Sequence, residues 1–174
     1  MKKIFLLAFA MASLGVFSAY AQQPSVRYQG EADAGYAVGV GTFSSGRANL
    51  HLINGVGVGR FFSAGIGLGV DYWHELSDNG ELSMPVFLNL KGYLPVSEKV
   101  RPFLSLDLGV SVGLTEGLSE MSGLLCTPAI GVAVGVGNSG NALIFSIGYN
   151  MQQWSESGFG INTNALNIKL GFQF

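Results

Sequence analysis

The sequence predicts an all-β chain that closes into an antiparallel, up-and-down transmembrane β-barrel of about eight strands. Three observations carry that prediction. Apolar residues recur at every second position along nearly the whole chain. Only 11% of the residues are charged, and mean hydropathy is +0.38. Yet beyond Ala21 no apolar run approaches the roughly 20 residues that a membrane-spanning helix needs. The 26 glycines weigh further against long helices, since each interior glycine costs about 1 kcal/mol relative to alanine.

The first segment is of another kind. Lys2 and Lys3 precede an almost unbroken apolar run from Ile4 to Phe17, and Ala19-Tyr20-Ala21 has the small-x-small form of a signal-peptidase site. Residues 1–21 are therefore expected to be a cleaved signal peptide and residues 22–174 a single transmembrane β-barrel domain. The run is too short for a retained membrane helix, and no cysteine follows it that would carry a lipid anchor. Removing it takes away two lysines and no acid, leaving the mature chain more acidic than the formal net charge of −2. A nucleic-acid partner is disfavoured by that balance. Cys126 stands alone, so an internal disulfide is excluded.

Strand by strand, the alternation puts one apolar face against one polar or bare face, as successive side chains of a strand demand. Val26, Tyr28, Ala32, Ala34, Tyr36, Val38 and Val40 share the first apolar face, opposite Arg27, Gln29, Glu31 and Asp33. Leu50, Leu52, Val56 and Val58 form the second, and Ile66, Leu68, Val70 and Tyr72 the third. The fourth is Leu82, Met84, Val86, Leu88 and Leu90, and the fifth runs from Leu104 through Leu114. Ile130 to Val136, Leu143 to Met151 and Leu166 to Phe174 complete the set. Polar connections at Phe43 to Asn49, His74 to Glu81, Thr115 to Gly123 and Trp154 to Thr163 alternate with tighter ones at Arg60 to Ala64, Pro95 to Val100 and Asn138 to Asn141. Such alternation suits a barrel with longer outer and shorter inner connections.

A soluble ligand-carrying barrel turns its apolar face inward, whereas a membrane barrel turns it outward. The second face decides between them. It carries Glu31, Asp33, Asp71, Asn89, Lys91, Ser105, Asp107, Ser111, Asn167, Lys169 and Gln173 among many glycines. That face is too sparse in charge for a water-exposed surface, but it suits a narrow lumen in which glycine makes room for Trp73, Phe87, Tyr93 and Phe103. Closure follows as well, because every backbone group in hydrocarbon must be paired. Aromatic residues gather near expected strand ends, at Tyr28, Phe43, Phe61, Phe62, Tyr72, Trp154, Phe172 and Phe174, as interfacial girdles require.

The leader, the alternating strands and the terminal run Leu166-Asn167-Ile168-Lys169-Leu170-Gly171-Phe172-Gln173-Phe174 resemble the small outer-membrane β-barrel family related to the OmpA transmembrane domain and OmpX. Residues 84–95 resemble the version common among Bacteroidetes. The resemblance spans the whole mature chain and rests on patterns rather than invariant residues. It implies an integral protein of the cell outer membrane, with outer-membrane lipid as its surroundings. It also implies a terminal assembly signal at Leu170, Phe172 and Phe174, read by the barrel-assembly machinery. It implies no cofactor.

Within the lumen, Glu31, Asp33, Lys91, Asp107 and Lys169 are expected to form an interior charge network: Lys169 at the depth of Glu31, Lys91 near Asp107. An unpaired charge there would cost several kcal/mol, and about eight strands leave a bore that side chains can fill. The expected role is therefore structural, or an interaction through the loops with an unknown extracellular partner. Two alternatives remain at this stage: a narrow pore, and a lipid-modifying enzyme built on His74, Glu75 and Ser77, whose order matches no signature. His51 reads as a hydrogen-bonded interior residue, without a second His or Cys at ligand spacing. Glu75, Asp78, Glu81, Glu116, Glu120 and Glu156 make an acidic outer rim without calcium-loop spacing, so no metal is expected. Pro85 and Pro128 fall inside apolar sets, where each removes a ladder donor, and bulges or nearby strand starts are expected there.

Overall fold

In the computed structural model, residues 25–41, 45–75, 80–94, 96–97, 99–115, 118, 121–137, 140–156 and 159–174 are described. The leader and its cleavage position lie outside them. Eight strands follow in order: β1 (Val26–Val40), β2 (Arg47–Val58), β3 (Phe62–Trp73), β4 (Glu81–Tyr93), β5 (Val100–Gly113), β6 (Ser122–Gly135), β7 (Ala142–Glu156) and β8 (Phe159–Gln173). Each pairs with the next, and β8 returns to β1, so the sheet is a closed antiparallel barrel without edges.

The period-two pattern sets which face is which. Along β2, Arg47, Asn49, His51 and Ile53 are buried while Leu50 and Leu52 are exposed. The same inversion holds around the ring: Ile66, Leu104, Leu124, Ile130 and Leu170 are all more than 60% exposed, whereas Glu31, Asp33, Lys91 and Asp107 are buried. Apolar residues thus form the outer wall and polar residues fill the bore.

Register is kept without a slip along every ladder. Following partners from Gly30 through Asn54, Ile66, Leu88, Leu108, Cys126, Met151 and Asn164, the path closes on β1 at Val40 instead of Gly30. That stagger is the geometric signature of strands tilted against the barrel axis.

The expected bulges at Pro85 and Pro128 are not formed, and the strands start well before both prolines. β4 passes through Pro85, paired to Ser111 on one side and leaving a gap toward β3 between Val86 and Ser83. β6 passes through Pro128, paired to Leu106, with a gap toward β7 between Cys126 and Ala129. Proline lacks a donor toward one neighbour only, so each ladder loses pairs locally and resumes in the same register.

Strand ends also differ from the apolar pattern. β2 begins at Arg47 rather than Leu50, and β7 and β8 continue past Trp154 and Thr163 until only residues 157–158 connect them. The ladders continue past the last apolar residue of the outer face, so hydrophobicity understates strand length. Connections 41–46, 74–80, 114–121 and 157–158 share one rim, while 59–61, 94–99 and 136–141 share the other with both ends of the barrel domain. Length alone therefore does not separate the rims.

Inside, the filling is layered. Near the rim carrying the strand termini, Tyr93, Phe103, Ala133, Ala142 and Ile144 pack together. Ile53, Phe87 and Leu125 form a middle cluster. Toward the opposite rim Trp73, Leu118 and Trp154 close the bore, with Met121 against them, the two indoles meeting edge to face at 6.0 Å between ring centroids. Glycine makes the middle layer possible: a Cβ on Gly67 would lie 2.3 Å from the Phe87 ring, inside any permitted contact.

Candidate functional site

The polar groups of the lumen lie between these apolar layers, and β1, β2, β3, β4, β5 and β8 all contribute to them. Glu31 and Asp33 project from β1 on the same face as one another, two residues apart, as a strand dictates. Lys91 on β4 donates to Glu31 across the bore. Lys169 on β8 lies 3.6 Å from both Asp33 and Asp107 and donates to His51 Nδ1 at 3.0 Å. His51 Nε2 in turn meets Asp71 Oδ1 at 3.0 Å. Both contacts are hydrogen bonds when His51 is protonated on Nε2 and accepts on Nδ1. Asn89 donates to Asp107.

All five residues expected in the network are therefore in one place, with partners exchanged. Lys91, diagonal to Asp107 across the β4–β5 ladder, pairs with Glu31, and Lys169 lies opposite Gly35 rather than at the depth of Glu31. The reason is the narrow bore. Matching depth on adjacent strands identifies neighbours along the wall, but long side chains also reach across the barrel, and opposite-wall partners are invisible to strand-by-strand counting.

Arg47 was missed altogether, having been read as a loop residue. It is 1% exposed, lies over the Trp73 ring at 4.2 Å, donates to Asn150 and stands 3.6 Å from Asp71. Its odd position, in phase with Asn49, His51 and Ile53, was the available signal. Asn150 continues the chain of contacts to Thr127 at 2.8 Å. Asn49 donates to Asn167 at 3.1 Å, and the Trp73 indole donates to Ser83 at 2.8 Å.

What remains open in the charged layer is small: a cavity of about 20 Å³, bordered by Glu31, Asp33, Lys91, Asp107 and Lys169 among others. This is room for one water molecule. Toward the rim with the strand termini, Gln29 donates to Tyr93 at 3.0 Å and Tyr93 to Gln173 at 3.1 Å, spanning the bore with neutral groups.

At the opposite rim, His74 Nε2 meets the Tyr36 hydroxyl at 2.6 Å with the rings stacked. Glu75 accepts from the backbone N–H of Gly46 at 2.7 Å, and Glu81 accepts from Thr115. His74 is thus engaged with β1 and Glu75 with the connection 41–46. Ser77, Asp78, Glu116 and Glu120 lie outside the described residues, as do Phe43 and the side chain of Glu156. Among the described residues no group of three or more His, Cys, Asp or Glu side chains is placed to hold a metal.

At the end of β8, Leu170, Phe172 and Phe174 all face outward. The rings of Phe172 and Phe174 stack at 6.4 Å, and Phe174 exchanges two backbone hydrogen bonds with Gly30.

Several solved structures share this architecture. Neisserial surface protein A superposes with a TM-score of 0.66 at 13% identity, over 86% of this chain and 97% of that one. The N-terminal β-barrel domain of Pseudomonas aeruginosa OprF gives 0.54 at 12% identity, over 86% and 100%. The outer-membrane enzyme PagL gives 0.54 at 15% identity, over 80% and 97%. These neighbours are small outer-membrane β-barrels. At such identities the likeness is one of fold, and it leaves the Bacteroidetes resemblance of residues 84–95 unaddressed. No protein-family model matches the chain, and no curated protein matches it significantly by sequence.

Proposed function

We propose that this chain is an integral outer-membrane barrel, exported by removal of its leader near Ala21, whose bore is sealed by its own side chains and whose role is structural or loop-mediated. The observation that carries this reading is the inversion of polarity. A continuous apolar wall faces outward, while the charged layer inside encloses a cavity of only about 20 Å³. In water the wall would be an aggregation hazard; in a bilayer it is the required surface. The structural neighbours, among them a neisserial surface protein and an outer-membrane enzyme, support the same reading.

In this reading outer-membrane lipid covers the wall, and the barrel-assembly machinery recognises Leu170, Phe172 and Phe174, the outward-facing residues of the strand that closes the ring. An extracellular partner would meet the connections at 41–46, 74–80 and 114–121. Catalysis is not part of the proposal, because His74 is bound to Tyr36 and Glu75 to the backbone of Gly46.

The test is membrane fractionation combined with gel mobility of unheated and boiled samples, followed by planar-bilayer recording. Expected are an outer-membrane fraction, a shift on boiling and no steady conductance. A soluble periplasmic protein without a shift would overturn the membrane assignment, and steady channels would overturn the sealed bore.

A further inference from the structure

The cations of the barrel fall into two groups. Arg47, Lys91 and Lys169 are buried and matched to Asp71, Glu31, Asp33 and Asp107. The remaining four, Arg27, Arg60, Lys99 and Arg101, all lie at the rim that holds the strand termini. Arg27 and Arg101 stand at the first turns of β1 and β5, Arg60 in the connection 59–61, and Lys99 in the connection 94–99. Arg27, Arg60 and Lys99 are exposed and Arg101 is half-buried. Among the described side chains no carboxylate pairs with any of them; Glu98 lies outside the described residues.

Arg27 and Arg101 reach over the mouth, with Arg60 and Lys99 on the same rim. Arg27 reaches from β1 across the end of β8, so that its guanidinium lies 3.6 Å from the position a Cβ would take on Gly140, in the connection 136–141. The Arg101 guanidinium sits 5.0 Å from the centre of the Tyr93 ring, over the same mouth. Beneath them the floor is the neutral Gln29–Tyr93–Gln173 chain, so nothing in the floor offsets the charge above it. Among the described side chains the like charges of this rim have no counter-charge, an arrangement that an anion would relieve.

The surroundings indicate the anion. Tyr28, Phe61, Phe62, Phe172 and Phe174 are exposed on the outer wall at this same rim, the height at which aromatic girdles meet lipid headgroups. Arg60, exposed beside the outward-facing Phe61, stands at the end of that wall, and long arginine side chains extend from such a position into the headgroup layer. Guanidinium also matches phosphate geometry, binding two oxygens at once.

We propose that the mouth formed by Arg27, Arg60, Lys99 and Arg101 docks the phosphate groups of anionic phospholipids in the leaflet at that rim. This rests on the membrane-barrel reading above and adds to it a lipid selectivity and a fixed polarity: the basic rim seats on the anionic headgroups, and the rim carrying Glu75 and Glu81 lies at the opposite face.

The full mature chain is folded into phosphatidylcholine vesicles with and without a minority of phosphatidylglycerol, and insertion is read by the mobility shift on boiling. Inserted protein is then released in mild detergent, and the lipids it retains are counted by native mass spectrometry. The wild type is expected to retain phosphatidylglycerol over phosphatidylcholine, falling about five-fold for each arginine replaced in Arg60→Gln and Arg101→Gln and vanishing in the triple variant with Arg27→Gln. If the triple variant does not insert, the two single variants decide by the same readout. Equal retention of the two lipids by inserted wild-type protein, or an unchanged preference in the variants, overturns the proposal while leaving the membrane barrel standing. Failure of the wild type to insert into either vesicle overturns both. In lipid-free detergent, saturable binding of inorganic phosphate as tight as that of the lipid would assign the mouth to a free anion and overturn the headgroup assignment.

Discussion

The two faces of the same strands obey different rules. On the outer wall, Ile66, Leu68, Leu104, Ile130 and Leu170 are exposed, and under the proposed function any residue apolar enough for lipid serves there. On the inner wall each side chain answers to particular others: Lys169 to Asp33, Asp107 and His51, Lys91 to Glu31, Arg47 to Trp73, Asn150 and Asp71, Phe87 to the bare backbone of Gly67. The difference follows from the solvent. In the proposed membrane setting lipid is fluid and uniform, so the outward face is specified only in polarity, whereas the bore is so narrow that charge and shape must both be matched residue by residue.

Substitutions can break this contrast. The largest effect is expected from Lys169→Met, which leaves Asp33 and Asp107 without their shared cation: a loss of ~3–5 kcal/mol, read by urea unfolding in lipid vesicles. Adding Asp33→Asn should restore part of it, and strictly additive losses would show that the two do not interact. Leu68→Arg on the outer wall is expected to cost ~2–4 kcal/mol if that position lies at the bilayer midplane; a loss below about 1 kcal/mol would place it near an interface. Gly67→Val should cost ~1–3 kcal/mol, because Phe87 has to move, and pairing it with Phe87→Leu should relieve the strain. Ile66→Leu, one position away in sequence but on the outer face, should change stability by less than ~1 kcal/mol. A Gly67→Val variant as well tolerated as Ile66→Leu would erase the distinction between the two faces.

That contrast also explains what the sequence revealed. Alternation alone places Leu50 and Leu52 outside and His51 and Ile53 inside, and repeated around the chain it yields the barrel and its inverted polarity. Membership of the charged layer was legible for the same reason, since Glu31, Asp33, Lys91, Asp107 and Lys169 all occupy inward positions. Their pairing was not, because Glu31 and Lys91 are joined only once the barrel closes. Arg47, Trp154 and Thr163 mark a second limit. Where strands rise beyond the apolar wall, hydrophobicity no longer distinguishes strand from loop, and only the phase of the inward positions, running from Arg47 through Ile53, still does. Pro85 and Pro128 show a third: a missing donor reads as an interruption in sequence, although neighbours on the other side hold the strand in place.

The seam between β1 and β8 ties residues 31–40 to residues 164–173, nearly the full length of the barrel domain apart. During synthesis the first strand emerges long before its final neighbour exists. Until that neighbour arrives, Asp33 lacks Lys169 and the β1 edge lacks its ladder. The ring is thus a clasp whose two halves are made at opposite ends of translation. Its electrostatic and hydrogen-bonded halves snap shut together, so a chain halted a few residues early would be an open sheet with an unmatched acid on its first strand.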